Sequence, residues 1–394
     1  MPAPKKKVAA IGTVYHRHSH CDVILGKILE GFNYDGKAGP NMELASLYID
    51  QINKNDMSRD LAKRYGFRLA NSMADALTLG TGKLAVDGVI CVGEHGAYPD
   101  NAKGQKLYPR RRFFEAVDQV FTASKKGVPL FNDKHLGPQW EDAKWMYDMA
   151  RRHHVPFLAG SSLPVTWRKP HLDIPKGTPL KEAVQIGYGP FEGYGFHALE
   201  SLQCLVENRQ GGETGVKAVR SLSGNAMWEA WDAEKWPNDL LEAALARVPA
   251  HANGELRKVS AATKDAGIFF IEYTDGFRAA MVMPNGWIHE GDGGGFCFAT
   301  KLPGKTPIAC QFYLQNTDPF GHFAELVKAI DHLVNTMHEP YPPERTLLTS
   351  GILDAAMTSR FQNGKRVETP HLNIRYEGST WAYPKGAVPP TVKR

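Results

Sequence analysis

The feature that most constrains this chain is the pace at which strand-type and helix-type segments alternate over its first 165 residues. Lys7–Gly12 (KVAAIG) is a short apolar strand, and Val23–Phe32 (VILGKILEGF) carries apolar residues at helical spacing. Met42–Asp50 (MELASLYID) is a second strand, followed by a polar-faced helix over Met57–Tyr65 that Gly66 ends. Val86–Gly93 (VDGVICVG) is almost wholly apolar, as strands buried on both faces of a parallel sheet are. A helix over Arg112–Ser124, a strand over Val128–Asp133, a helix over Gln139–His153 and a strand over Val155–Gly160 complete the run. Parallel strands need long crossovers, and right-handed strand–helix–strand units wind into a Rossmann-like parallel sheet. Such sheets bind ligands beyond the carboxyl ends of their strands. Here those ends are Gly12–His20, Asp50, Gly93–Tyr98, Asp133–Leu136 and Ser161–Pro164.

The pattern changes where Pro164, Pro170 and Pro175 fall close together. This places a Rossmann-like nucleotide-binding domain at residues 1–165 and a second domain at 166–394. The second half clusters strands without intervening helices: Gly267–Tyr273 (GIFFIEY), Arg278–Met283 (RAAMVM) and Ala309–Leu314 (ACQFYL). Helices over His322–Met337 and Arg345–Ser359 follow. The expectation is an α/β domain on an open, mainly antiparallel sheet. An uncovered apolar sheet face exceeds what a monomer usually exposes, so this face is expected to bury against another subunit in a homo-oligomer. The loop Gly291–Gly295 (GDGGG) reads either as a mobile cover over a site or as a hairpin connection. The tail from Trp381 to Arg394 reads as extended or disordered.

Composition excludes several function classes. Forty-seven Lys and Arg against 42 Asp and Glu leave a net charge of +5 on 394 residues, too little to mark a nucleic-acid binder. Cys21, Cys91, Cys204, Cys297 and Cys310 stand far apart with no C-x-x-C, which argues against a disulfide framework or a thiolate zinc site. No stretch approaches the roughly 20 apolar residues of a membrane span. The basic start Met1–Lys7 precedes an apolar run, Val8–Val14, too short for a signal peptide. A cytoplasmic enzyme is the expectation.

Chemistry-bearing residues gather at the strand ends. Gly12 is followed by Thr13 and the run His16–Arg17–His18–Ser19–His20, with no glycine-rich turn. His16, His18 and His20 invite a metal reading if the loop is extended; otherwise Ser19 or His20 caps the next helix and the loop faces an anionic group. Asp50 stands where a carboxylate can bind ribose hydroxyls or cap the following segment. Glu94 and His95 follow the most buried strand at Gly93, and Asp133–Lys134–His135 follow the next. A lysine there can hydrogen-bond or protonate a substrate oxygen. His197 opens an amphipathic helix after Gly193–Tyr194–Gly195, as a structural residue or an acid–base group. Arg110, Arg111 and Arg112 read as a solvated helix face.

The order of these features resembles the Gfo/Idh/MocA family, relatives of glucose–fructose oxidoreductase and inositol dehydrogenase, over most of the chain. KVAAIG is similar to the family's first strand, and LYIDQINKNDMSRDLAKRYGF to its second strand, acidic residue and helix. GVPLFNDKHL resembles the segment ending in Glu-Lys-Pro, with Lys134 at the lysine. GYGFHALESL resembles the aspartate-to-histidine motif, with His197 at the histidine and Tyr194 at the aspartate. AAMTSRFQNGKRVE resembles the family's last helix and the short Ser-x-x-x-Gly-x-x-Val stretch. The resemblance implies hydride transfer between NAD or NADP and a sugar or cyclitol hydroxyl, with Lys134 on the reacting oxygen and His197 as acid–base. The dinucleotide would lie across Gly12, Thr13, His20, Asp50 and Gly93.

The glycine-rich turn is absent, however, and Glu-Lys-Pro reads Asp-Lys-His. A second reading is therefore a non-redox lyase, isomerase or hydrolase acting on a carbohydrate in the same cleft. It would use Glu94, His95, Asp133, His135 and His197, with a divalent metal as its candidate cofactor. A third is a ligand-binding relative without chemistry.

Overall fold

The computed structural model describes residues 4–394, so the first three residues of the basic start lie outside it. Its first half alternates as the sequence does: β1 (Lys6–Gly12), α1 (His20–Glu30), β2 (Met42–Ile49), α2 (Ser58–Tyr65), β3 (Arg68–Leu69), α3 (Met73–Thr78), β4 (Gly88–Val92), α4 (Arg110–Ser124), β5 (Leu130–Asp133), α5 (Trp140–Arg152) and β6 (Phe157–Gly160). The six strands form one sheet in the order β3-β2-β1-β4-β5-β6, and every pairing is parallel. The order reverses between β1 and β4, which opens a crevice at their carboxyl ends. β4 is buried along its whole length, as its unbroken apolar run requires.

The second half holds β7 (Trp167–Lys169), β8 (Glu182–Ile186), α6 (Gly193–Val206), β9 (Val216–Leu222), α7 (Asn225–Ala233), α8 (Asn238–Leu245), α9 (Leu256–Ala262), β10 (Gly267–Tyr273), β11 (Arg278–Met283), β12 (Cys297–Lys301), β13 (Pro307–Tyr313), α10 (Gly321–Thr336), α11 (Glu344–Phe361) and β14 (Val367–Glu368). Its sheet runs β14-β9-β10-β11-β8-β12-β13-β7, antiparallel throughout except for β11 beside β8.

Among the described residues, helices pack on both faces of this sheet. Leu199, Leu202, Ile352 and Leu353, from α6 and α11, pack on one side with Phe269, Ile271 and Met281. On the other side Trp228, Trp231, Leu240 and Leu241, from α7 and α8, bury Ile268, Phe270, Ala280 and Val282. The face expected to bury against another subunit is thus covered by the chain's own residues 225–262. The sequence reading missed those three helices because they are short, at 9, 8 and 7 residues.

α10 returns to the first sheet, where Leu326, Val327, Ile330 and Leu333 share a core with Val8, Ala10 and Ile90. The tail over 381–394 is extended and docked. Gln315 donates to Pro389 O at 2.6 Å, and Arg394 pairs with Asp22 at 2.9 Å and Glu30 at 2.6 Å. The GDGGG loop is no hairpin connection, because β12 pairs with β8 and β13 rather than with β11. Among the described residues no helix is long and apolar enough to cross a membrane.

Candidate active site

The carboxyl ends of β1, β4, β5 and β6 meet the start of α6 and the start of α10 around a cleft of about 400 Å³. Glu94, His95, Lys134 and His197 all line it, together with His20, Tyr188, Tyr194 and His322. Four lining residues carry a left-handed backbone: His18 (φ 61°), His95 (φ 67°), Lys134 (φ 71°) and Phe320 (φ 50°). Non-glycine residues in that region are strained, and such strain gathers where side chains must be aimed. Lys134 is held in it from both sides. Its N–H donates to Gly160 O at 3.1 Å, and Asn132 Nδ2 donates to the carbonyls of Asp133, Lys134 and His135 at 3.1–3.2 Å.

Lys134 Nζ contacts His197 Nε2. On the far side of that ring, His197 Nδ1 lies 2.5 Å from Ser161 Oγ. Burial, reinforced by the charge of Lys134, pushes the imidazolium form of His197 far out of reach, so the ring is neutral. Asp133, the residue before Lys134, contacts a second imidazole: its Oδ2 stands 2.5 Å from His20 Nδ1. Burial raises the Asp133 carboxyl to about 6. Burial first, and Lys134 second, lower His20 to about 3. At neutral pH the pair is therefore a carboxylate accepting from a neutral ring.

Glu94 is held by Arg110, whose Nη2 donates to its Oε2 at 2.8 Å. Burial works to protonate Glu94, but Lys134 and Arg110 outweigh it and keep the carboxyl below its ordinary value. Arg110 was expected on a solvated face, yet its side chain is 1% exposed. A triple-arginine run carries no signal for one buried member. Its outward neighbours do behave as expected, Arg111 pairing with Glu115 and Asp142 across exposed surface.

His135 does not reach the cleft. It lies behind it, 2.7 Å from Glu192 Oε1 and within 3.2 Å of Arg110 Nη1, where it supports the Glu94–Arg110 pair. The histidine run is not extended either. His18 turns left-handed, and His20 begins α1, which Ser19 caps by accepting Asp22 N–H at 3.3 Å. Among the described residues no three His, Cys, Asp or Glu side chains are placed to hold a metal ion.

The five residues expected to hold a dinucleotide are engaged otherwise. A Cβ on Gly12 would meet Cys21 Sγ at 2.5 Å, and one on Gly93 would meet Arg110 Cγ at 2.6 Å, so both glycines admit the chain's own side chains. Thr13 is fully buried and its hydroxyl donates to Glu94 O, tying the β1 loop to the β4 loop. Asp50 accepts from Tyr98 at 2.7 Å, from Tyr48 at 3.3 Å and from Arg112 at 2.6 Å. Gln51 exchanges two hydrogen bonds with the backbone of Ala97, closing the β2 loop onto the β4 loop. His20 serves the cleft through Asp133. Each of these residues thus meets groups of the chain itself.

Sequence reasoning missed Arg110, Ser161 as the partner of His197, and the pairing of His20 with Asp133. Ser161 had a legible signal, its place directly after a parallel strand. Tyr194 lines the cleft with its ring 5.9 Å from that of His197.

No protein-family model matches the chain, and no curated protein matches it in sequence. Solved structures do match in fold. The scyllo-inositol dehydrogenase of Lactobacillus casei with bound NAD(H) and scyllo-inositol superposes with a TM-score of 0.56 at 11% identity, covering 92% of this chain and 99% of that one. The myo-inositol 2-dehydrogenase of Lactobacillus plantarum gives 0.55 at 12% identity, with 92% and 99% covered. GenD2 from gentamicin A biosynthesis, in complex with NAD, gives 0.56 at 13%, with 93% and 97% covered. The chain has the fold of the Gfo/Idh/MocA-type dehydrogenases, as its motifs led one to expect.

Proposed function

We propose that this chain is an enzyme that moves protons at a hydroxyl or carbonyl group of a small sugar or cyclitol. The observation that carries the reading is the unbroken line Lys134–His197–Ser161 at the wall of the cleft. Lys134 donates to the reacting oxygen, stabilising charge that develops on it, and His197 exchanges a proton with Lys134. Glu94 and His95 lie on the same wall and offer hydrogen bonds to further hydroxyls. Tyr188, Tyr194 and Phe296 present apolar rings against which the carbon face of a cyclic polyol packs.

A second reading is oxidation of the hydroxyl by NAD or NADP. It is favoured by the fold shared with NAD-bound dehydrogenases and opposed by the engaged Gly12, Thr13, His20, Asp50 and Gly93. The test is a panel of inositols, hexoses and their monoketones incubated with the protein, with and without NAD⁺ or NADP⁺, with products followed by NMR. Calorimetric titration of all four nicotinamide nucleotides runs alongside. Turnover of a panel member that is lost in Lys134→Ala and His197→Ala supports the reading; no turnover or binding of any member contradicts it. Calorimetric binding of a dinucleotide selects the redox form.

A further inference from the structure

Two consecutive residues at the end of β5 hold two imidazoles that come from different parts of the chain. Lys134 contacts His197 of α6, and Asp133 contacts His20 of α1 at 2.5 Å. Both imidazoles line the cleft. One residue pair suffices to hydrogen-bond a substrate oxygen, so the second calls for a separate role.

The Asp133 side chain is 2% exposed and His20 13%. A buried carboxylate on Nδ1 fixes the ring as the Nδ1–H tautomer, and this leaves Nε2 with its lone pair. Nε2 makes no hydrogen bond to any described residue, and the ring is positioned by His95 at 5.2 Å and Phe323 at 5.0 Å between centroids. Phe323 supplies an apolar neighbour to the ring, edge-to-face with it. An oriented imidazole with a free nitrogen, lining the same cleft as an ammonium donor, is the set of groups that removes a proton from carbon next to a carbonyl.

We propose that His20, positioned by Asp133, is a carbon-directed base, and that the cleft enolises ketoses or keto-cyclitols without a dinucleotide. The substrate class rests on the function proposed above. His20 Nε2 takes the proton from the carbon beside the carbonyl. The C–H electron pair becomes the C=C bond of an enediol while the carbonyl π pair moves to oxygen, which takes a proton from the Lys134 ammonium. Return of the proton from His20 to either enediol carbon, with the matching hydroxyl proton passed back to Lys134, regenerates a carbonyl. One proton leaves carbon and one returns, so no oxidant or reductant is consumed.

The experiment is deuterium wash-in. The monoketone of scyllo-inositol and D-fructose are each incubated with the protein in D₂O, with no nicotinamide present, and the signal of the hydrogens beside the carbonyl is followed by proton NMR. Wild type is expected to exchange at least one of the two. His20→Gln is expected to exchange it at least about 100-fold more slowly while still binding the ketone by saturation-transfer NMR. Asp133→Asn, which keeps the side-chain shape and removes the charge, is expected to slow exchange and to shift the His20 ring away from the Nδ1–H form in ¹⁵N spectra. Equal exchange by wild type and His20→Gln overturns the proposal and leaves the Lys134–His197 reading standing. So does turnover that requires NAD⁺ with no wash-in. Absence of both wash-in and turnover across the panel removes the two together.

Discussion

Ser161 Oγ lies 2.5 Å from His197 Nδ1, and the same oxygen accepts the N–H of Leu163 at 3.1 Å. A hydroxyl can donate or accept across such a contact, so Ser161 satisfies either neutral tautomer of His197 while the proton gained or lost at Lys134 goes to or comes from the substrate oxygen. When the hydroxyl donates to Nδ1, Nε2–H faces a neutral Lys134 amine. When Nδ1–H donates to Ser161, Nε2 accepts from a Lys134 ammonium. The serine thus lets Lys134 change protonation without an uncompensated charge at the ring. Ser161→Ala is expected to lower kcat about tenfold, the worth of one hydrogen bond, with KM little changed, and Ser161→Thr is expected to restore part of the loss. Steady-state kinetics on the panel substrate checks this; an unchanged kcat in Ser161→Ala counts against the relay.

Arg110 is buried against Glu94, and its removal strands a carboxylate. Arg110→Met is expected to cost about 3–5 kcal/mol of stability, the usual effect of breaking a buried ion pair from one side. Adding Glu94→Gln to that variant is expected to recover much of it. Urea unfolding of the two variants beside wild type measures the difference. A single variant as stable as wild type contradicts the pairing.

Glu200, one turn beyond His197, is fully buried and accepts from Thr349 at 2.7 Å and from Ser161 N–H at 3.3 Å. Burial raises its carboxyl from 4.5 to about 7. The folded chain therefore holds a proton that the unfolded chain has already released. The contribution of Glu200 to stability is full below about 4.5 and is lost as the pH rises to about 7. Over that range wild type is expected to lose a few kcal/mol relative to Glu200→Gln, because each tenfold gain in proton affinity on folding is worth roughly 1.4 kcal/mol. Urea unfolding of both proteins across this pH range measures the difference. Parallel stability profiles of the two contradict the assignment.

The tryptophans of α7 fill the sheet face that a partner subunit would otherwise take. Trp231 is fully buried, and Trp231→Ala is expected to cost about 3–5 kcal/mol. It is not expected to change the mass in solution, because the Trp231 side chain lies wholly inside the chain's own core. Light scattering beside thermal melting separates the two effects; dissociation of a wild-type oligomer by this variant shows that the face is an interface.

The parallel sheet was legible because buried parallel strands read as unbroken apolar runs, and Val86–Gly93 is one. Gly267–Tyr273 and Arg278–Met283 are strands over the residues expected. β8, β9 and β12 were missed because polar residues such as Gln185 and Arg220 interrupt their runs. Strand ends pointed to Glu94, His95 and Lys134 because position after a parallel strand is a local property, while His197 stood out as the histidine opening a helix after a glycine-flanked tyrosine. Partnership is not. That Arg110 would turn inward, that Asp133 would take His20, and that Thr13 and Asp50 would be satisfied within the chain depend on residues up to 113 positions apart.

If Lys134 acts on the reacting oxygen, the steady-state rate of Lys134→Ala on the turned-over sugar or cyclitol shows it. A fall in kcat of roughly 10²–10⁴ is expected, with the melting temperature close to wild type, since His197 keeps its bond to Ser161. A Lys134→Ala protein that folds and turns over at the wild-type rate contradicts it.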